Sequence, residues 1–235
     1  MQKTVSLSLF FLLCISLGAQ TPIGVKHTKV SVDTSFSVDK VYNKITGEKV
    51  SPEMFQKLLA INPKLILEPV IDKKGEIIKY LYDPQNLKIR VYKPGKTSLV
   101  EGFSFPDYNL KTVDGKTMDF NDLKGKMVIL RFEMEADSFR FKKHEIAGMD
   151  QKINETNRNT EIEAIIIFNA NKDEINRGFD LENSNFKLIP NGGNILRQLN
   201  VNRFPYTVVL NKEGVVMAVF KYSDEMNILE LLNKA

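Results

Sequence analysis

Lys126-Met127-Val128-Ile129-Leu130-Arg131-Phe132 runs into Glu133-Met134-Glu135-Ala136-Asp137-Ser138-Phe139-Arg140. The reading of this stretch decides the fold. Met127 to Phe132 is a short, mostly apolar run entered through Lys124-Gly125-Lys126, which suits a central strand covered on both faces. Asp137 or Ser138 can accept a hydrogen bond from a free backbone N–H and so start a helix. The spacing predicts that helix from about Ser138 to Thr156, with Ile146, Met149 and Ile153 turned inward.

Downstream the same alternation continues. Glu161 to Phe168 is a second apolar strand, Lys172 to Leu181 a helix, Phe186 to Ile189 a short extended run, and Asn194 to Leu199 a short helix. Tyr206 to Leu210 and Val215 to Phe220 flank Asn211-Lys212-Glu213-Gly214 as a pair of strands. A closing helix is predicted from near Asp224, with Met226, Ile228, Leu229, Leu231 and Leu232 on its apolar side. Strands alternating with helices, then a hairpin and a last helix, define an α/β fold with a mixed sheet.

Upstream, Ser51-Pro52-Glu53 starts a helix. Ser51 caps, Pro52 has no N–H to leave unpaired, and Glu53 favours the positive helix end. Met54, Phe55, Leu58, Leu59 and Ile61 form its expected apolar face, and Asn62-Pro63 ends it. Leu65 to Ile71 and Ile77 to Tyr82 flank Asp72 to Glu76 as a hairpin, with Gly75 available for positive φ. Pro69 cannot donate to a ladder, which places its strand at an edge. Thr21 to Lys40 alternates weakly through Val30, Val32, Phe36 and Val38, and reads as a linker followed by strand. Lys93-Pro94-Gly95-Lys96 is the best linker candidate. These signals divide the chain into residues 1–19, a signal peptide; 20–95, a small N-terminal α/β module; and 96–235, a larger α/β domain.

The N-terminus reads as a secretory signal. Lys3 supplies the positive start, Val5 to Leu17 the apolar core, and Ser16-Leu17-Gly18-Ala19 the small residues of a cut placed between Gly18 and Gln20. That core is short for a membrane span, so no stable span is expected after cleavage. The expected location is periplasmic or secreted. A net charge of +4 with acids interspersed among the bases gives no reason to expect a nucleic-acid partner. Cys14 is the only cysteine, and it falls in the segment expected to be removed.

Residues 102–235 resemble the exported thioredoxin-like proteins of the TlpA/AhpC-TSA group. The matching pieces are Phe105-Pro106-Asp107-Tyr108-Asn109-Leu110, Asp114-Gly115-Lys116, Leu123-Lys124-Gly125-Lys126 with Val128 to Phe132, and Phe204-Pro205-Tyr206-Thr207 with Leu210-Asn211-Lys212-Glu213-Gly214. The resemblance implies a thioredoxin-like mixed sheet flanked by helices, here behind the small N-terminal module. It also implies that Asp137 and Arg140 occupy the positions of the family's Cys-x-x-Cys pair. Thiol–disulfide exchange needs a thiolate, and neither side chain supplies one. Peroxide reduction by a peroxidatic cysteine falls for the same reason.

What carries over is Pro205, which in the resembled family is cis and borders a groove for an extended peptide. Phe204 and Tyr206 are the flanking groove candidates, although aromatic residues in such places equally serve as packing. Glu133, Glu135 and Asp137 alternate along the chain with His144 beyond them, which offers a set of weak metal candidates. The commoner arrangement of such residues is a capping acid, two solvated acids and a surface histidine. No cofactor is implied. The expectation is a redox-inactive binding or structural protein of the cell envelope, with an extended peptide or an envelope protein as partner. The alternatives are a family-type oxidoreductase by descent and a metal-dependent activity at the acidic cluster.

Overall fold

The structure is a computed structural model and describes residues 36–63, 65–86, 96–136, 141–222 and 225–235. The signal segment and its cut, the linker candidate at residues 93–95, Asp137, Ser138, Arg140 and Asp224 lie outside the described residues.

The quoted stretch is the middle of a five-stranded sheet. β6 (Met127–Glu133) is buried along its whole length and pairs in parallel with β7 (Ile162–Phe168). On its other side it pairs antiparallel with β9 (Tyr206–Leu210), which pairs antiparallel with β10 (Val216–Phe220). β8 (Phe186–Ile189) runs parallel to β7 at the far edge, giving the order β10-β9-β6-β7-β8. Successive side chains of a strand face opposite sides, so each strand feeds two cores.

Val128, Leu130 and Phe132 of β6 enter one core with Ile165, Ile167, Val208 and Leu210. Helix α4 (Gly193–Gln198) covers that side through Ile195 and Leu196, beside the hairpin of β4 (Asn109–Lys111) and β5 (Thr117–Asp119) through Leu110 and Met118. Met127 and Ile129 enter the other core. There they meet Ile146, Met149 and Ile153 of α2 (Lys143–Glu155), Ile175 of α3 (Lys172–Gly178), and Ile228, Leu231 and Leu232 of α5 (Ile228–Lys234).

The N-terminal part builds a second, three-stranded sheet. β3 (Ile77–Tyr82) lies between β1 (Val41–Asn43), which is parallel to it, and β2 (Glu68–Ile71), which is antiparallel. Pro69 therefore stands on an edge strand, as its missing donor requires. Helix α1 (Pro52–Ile61) is capped by Ser51, whose hydroxyl accepts the Met54 N–H at 3.2 Å. It closes a small core of Val41, Val50, Phe55, Leu58 and Tyr82. The β2–β3 turn, with Gly75 at φ 78°, reaches α4 and the β4–β5 hairpin. The Asn194 side-chain amide donates to the Gly75 carbonyl at 2.9 Å, the Asn109 N–H donates to the Lys73 carbonyl at 2.6 Å, and Ile71 joins the core under α4. Residues 36–235 form one compact unit.

Five local expectations are corrected. α2 begins at Lys143 and not near Ser138, with Phe141 and Lys142 ahead of it non-helical and no side-chain cap at Lys142. Val38 belongs to a 3-10 turn, Val38–Lys40, because the Ser37 hydroxyl accepts the Asp39 N–H and tightens the chain. Only Phe55 and Leu58 of the α1 face are buried, while Met54, Leu59 and Ile61 stay exposed because a three-stranded sheet covers a narrow stripe. α3 stops at Gly178, where Phe179 turns extended and brings its ring within 6.1 Å of Phe141. α5 begins at Ile228 under an Asn227 cap that accepts the Glu230 N–H, and Leu229 faces solvent.

Candidate functional site

The C-terminal end of β6 and the loop before β9 meet at one end of the sheet, because Phe132 pairs with Tyr206 and Arg131 with Thr207. In an open α/β sheet this end, beyond the carboxyl ends of the parallel strands, is where sites are built. The Phe204–Pro205 peptide bond is cis. Phe204 and Tyr206 are half-buried and packed against the α4-side core, and the Tyr206 hydroxyl donates to the Leu99 carbonyl at 2.9 Å. Both candidate groove aromatics thus have one face committed to packing and a partial face left to solvent. Asp137 and Arg140 lie outside the described residues, so their geometry carries no part of the site.

The side chains of Arg131 and Glu133 point to the α2 side of β6 and are almost wholly enclosed, at 1% and 3% exposure. A charge buried this deeply must be paired, because desolvation otherwise costs several kcal/mol per ion. Arg131 Nε donates to Glu133 Oε1 at 2.7 Å, and Arg131 Nη2 donates to Glu145 Oε2 at 3.0 Å. The second Glu145 oxygen takes Lys142 Nζ at 3.2 Å. One guanidinium therefore ties the end of the central strand to the first turn of α2. The sequence contained a signal for this: an arginine inside an apolar run predicted to be covered on both faces needs a buried acid.

The two carboxyls shift in opposite directions although they share one arginine. Burial pushes Glu133 up from its ordinary 4.5, against the pull of Arg131. Burial acts on Glu145 as well, but hydrogen bonds and charge from Arg131 and Lys142 outweigh it and hold that carboxyl below 4.5. The difference follows from exposure, since the Glu145 side chain keeps 16% and that of Glu133 only 4%. For Glu133, whose folded pKa is raised, the stabilising contribution is complete below 4.5 and is lost as pH rises through the folded value. Glu133→Gln removes that dependence. Urea midpoints taken at about pH 4 and about pH 7 should show the variant gaining on the wild type as pH rises. A variant that loses ground over that interval would contradict the assignment.

The other metal candidates do not converge with Glu133. Its carboxylate is held by Arg131, Glu135 is half-buried after the strand, and His144 is exposed on α2. Among the described residues no three His, Cys, Asp or Glu groups stand close enough to hold a metal ion.

Sheet order, parallel β6–β7–β8 crossovers, antiparallel β9–β10 and the cis-Pro loop define a thioredoxin-like fold. The chain belongs to the AhpC/TSA family, whose pattern matches residues 102–219, half of its length. It is similar to the thioredoxin-like protein YneN of Bacillus subtilis (strain 168), at 27% identity over 132 residues, covering 55% of this chain and 76% of that protein. Among solved structures it is similar to the thioredoxin domain of a thiol-disulfide oxidoreductase from Bacteroides vulgatus. That match has 16% identity and a TM-score of 0.48, and covers 58% of this chain and 97% of the other. It is also similar to the pneumococcal exposed lipoprotein thioredoxin Etrx1 of Streptococcus pneumoniae strain TIGR4. Here identity is 22% and the TM-score 0.42, with coverage of 55% and 100%.

Proposed function

We propose that this chain is an exported, redox-inactive thioredoxin-like protein with a binding role in the cell envelope. It receives an extended peptide segment at the Phe204–Pro205–Tyr206 loop. The observation that carries this reading is the cysteine inventory: Cys14 is the sole thiol in the sequence, and it lies far upstream of the family match. Disulfide exchange proceeds by thiolate attack on sulfur, through a mixed disulfide that a second thiol resolves. The strand–helix junction instead carries Asp137-Ser138-Phe139-Arg140. A carboxylate forms no mixed disulfide and a guanidinium resolves none.

A retained scaffold without its nucleophile keeps what the scaffold does apart from chemistry, which is to present the cis-Pro loop at the end of the sheet. The metal-dependent alternative has less support, because the most enclosed of its ligands already neutralises Arg131. The test is reduction of insulin disulfides with dithiothreitol as electron source, where the chain should add nothing to the background rate.

A further inference from the structure

We propose that Tyr206 is a positioning residue of the peptide-receiving loop, and that through it the N-terminal module sets the shape of that loop. The inference rests on the binding role above and adds how the site is held. The Tyr206 hydroxyl donates to the Leu99 carbonyl at 2.9 Å, so the residue after Pro205 is fastened to a segment 107 positions earlier in the chain. That segment, residues 97–99, is a strap. Leu99 is wholly buried in the core under α4, and the Thr97 hydroxyl accepts the Leu99 N–H at 3.2 Å. The Thr97 hydroxyl also donates to the Leu199 carbonyl at 3.2 Å, and the Ser98 N–H donates to the same carbonyl at 3.0 Å. Leu199 is the residue that ends α4, so the strap joins the last turn of that helix to the loop before β9. Further on, the Gly102 N–H donates to the Val216 carbonyl at 2.8 Å and the Phe103 carbonyl accepts the Val216 N–H at 2.9 Å, which anchors the strap's other end on β10.

The first turn of α4 is held by the N-terminal module. The Asn194 side-chain amide donates to the Gly75 carbonyl. Gly75 also packs on Ile195, since a Cβ there would stand 3.4 Å from two carbons of that side chain. Ile71 of β2 lies in the same core as Ile195, Leu196, Leu199 and Leu99. α4 is six residues long with Ile195 and Leu196 buried, and a close-packed interior transmits displacement, so a shift at Asn194 reaches Leu199. The path runs from the β2–β3 turn through α4 and the strap to Tyr206, and each of its hydrogen bonds can be removed singly. Contiguity alone is not coupling; a change at one end must move the other. The Tyr206 hydroxyl is committed to the strap, so its part in recognition is to hold the loop.

The test reads the Phe204 and Tyr206 amides of the full chain by NMR, first without ligand. Thr97→Val keeps the shape of the side chain and removes the hydroxyl that holds the strap, and both amides should shift although the substitution is remote in sequence. Asn194→Ala should shift the same two amides by a smaller amount. Glu101→Gln, exposed beside the strap, should leave them in place. Tyr206→Phe keeps the ring and should shift the Val100 amide, whose peptide group carries the Leu99 carbonyl. Unmoved loop amides in Thr97→Val, or an unmoved Val100 amide in Tyr206→Phe, would overturn the proposal. Loop amides that move in Thr97→Val but not in Asn194→Ala would overturn the part given to the N-terminal module. Peptides selected from an array of random twelve-residue sequences then report on binding. Tyr206→Phe and Thr97→Val should each weaken them about fivefold, the scale of one hydrogen bond, and the double variant no further, because both open one latch. Additive losses would mean that the Tyr206 hydroxyl touches the peptide, and would overturn its positioning role. An array with no bound peptide, beside the expected amide shifts, would overturn the binding role and leave the latch standing.

Discussion

Replacing Arg131 by Met should cost about 3–5 kcal/mol of folding stability at neutral pH, the range found when one partner of a buried ion pair is removed. Arg131 is 1% exposed and serves two carboxylates, at 2.7 and 3.0 Å. Without it Glu133 stays enclosed at the end of β6 with no cation to face, while Glu145 can turn outward to Lys142 and water. Domains of this size hold about 5–15 kcal/mol in total, so the loss is a large part of the whole. Two further results separate this cause from simple loss of packing. The defect should shrink as pH falls and Glu133 takes up a proton. The double variant Arg131→Met/Glu133→Leu should recover most of it, since well-packed apolar groups replace buried ion pairs at little or no cost. A single variant within about 1 kcal/mol of the wild type by urea denaturation would mean that the charges are less enclosed than the structure has them.

Gly192→Ala should destabilise by about 1–3 kcal/mol, which for a unit of this size lowers the thermal midpoint by about 2–4 °C per kcal/mol. The reason is space, since Gly192 has an ordinary φ of −72°. A Cβ there would stand 2.3 Å from Ile167 Cγ2 and 3.0 Å from the Phe168 carbonyl oxygen. Ile167 is fully buried in the second strand, and the Gly192 N–H already donates to that carbonyl at 2.7 Å, so neither neighbour can withdraw without disturbing the sheet. Gly193→Ala is the control. Its Cβ would also meet an atom at 2.3 Å, but that atom is the side-chain oxygen of half-exposed Asn169, which can swing aside. Equal losses at the two positions would contradict this account, since the close contact at Gly193 is with a side chain that can move.

Much of this fold was legible because its signals are local. The apolar runs at Met127–Phe132, Glu161–Phe168 and Tyr206–Leu210 became β6, β7 and β9 within a residue of the expected ends. Ser51 and Gly75 did what their chemistry prescribes. The misreadings arose where partners distant in sequence, or simply the width of a covering surface, decide the outcome. Met54, Leu59 and Ile61 share a helix with Phe55 and Leu58, but a three-stranded sheet buries only the latter pair.

The buried ionic cluster was the main feature unread, since Arg131 and Glu145 stand 14 residues apart and meet only once α2 folds back on β6. Glu163 was missed in the same way. It lies 6% exposed in β7 and is held by Lys187 at 2.6 Å and Lys126 at 3.3 Å, from the flanking strand and the turn before β6. In both strands a charge within an apolar run was the available clue. At the candidate site the cis geometry of Pro205 matches what the resemblance implied, and Asp137 and Arg140 remain readings of the sequence alone.

The scaffold has a family whose chemistry is carried by sulfur, and a sequence that places its one sulfur nucleophile at Cys14. The most direct test is insulin-disulfide reduction by the full chain and by Cys14→Ser, beside a thioredoxin-like protein that carries Cys-x-x-Cys. Both forms of this chain should match the rate with dithiothreitol alone while the control precipitates insulin. Protein-dependent turnover by both forms would contradict the account outright. Turnover by the wild type that disappears in Cys14→Ser would place redox chemistry in the segment read as a removable signal, and would contradict it there.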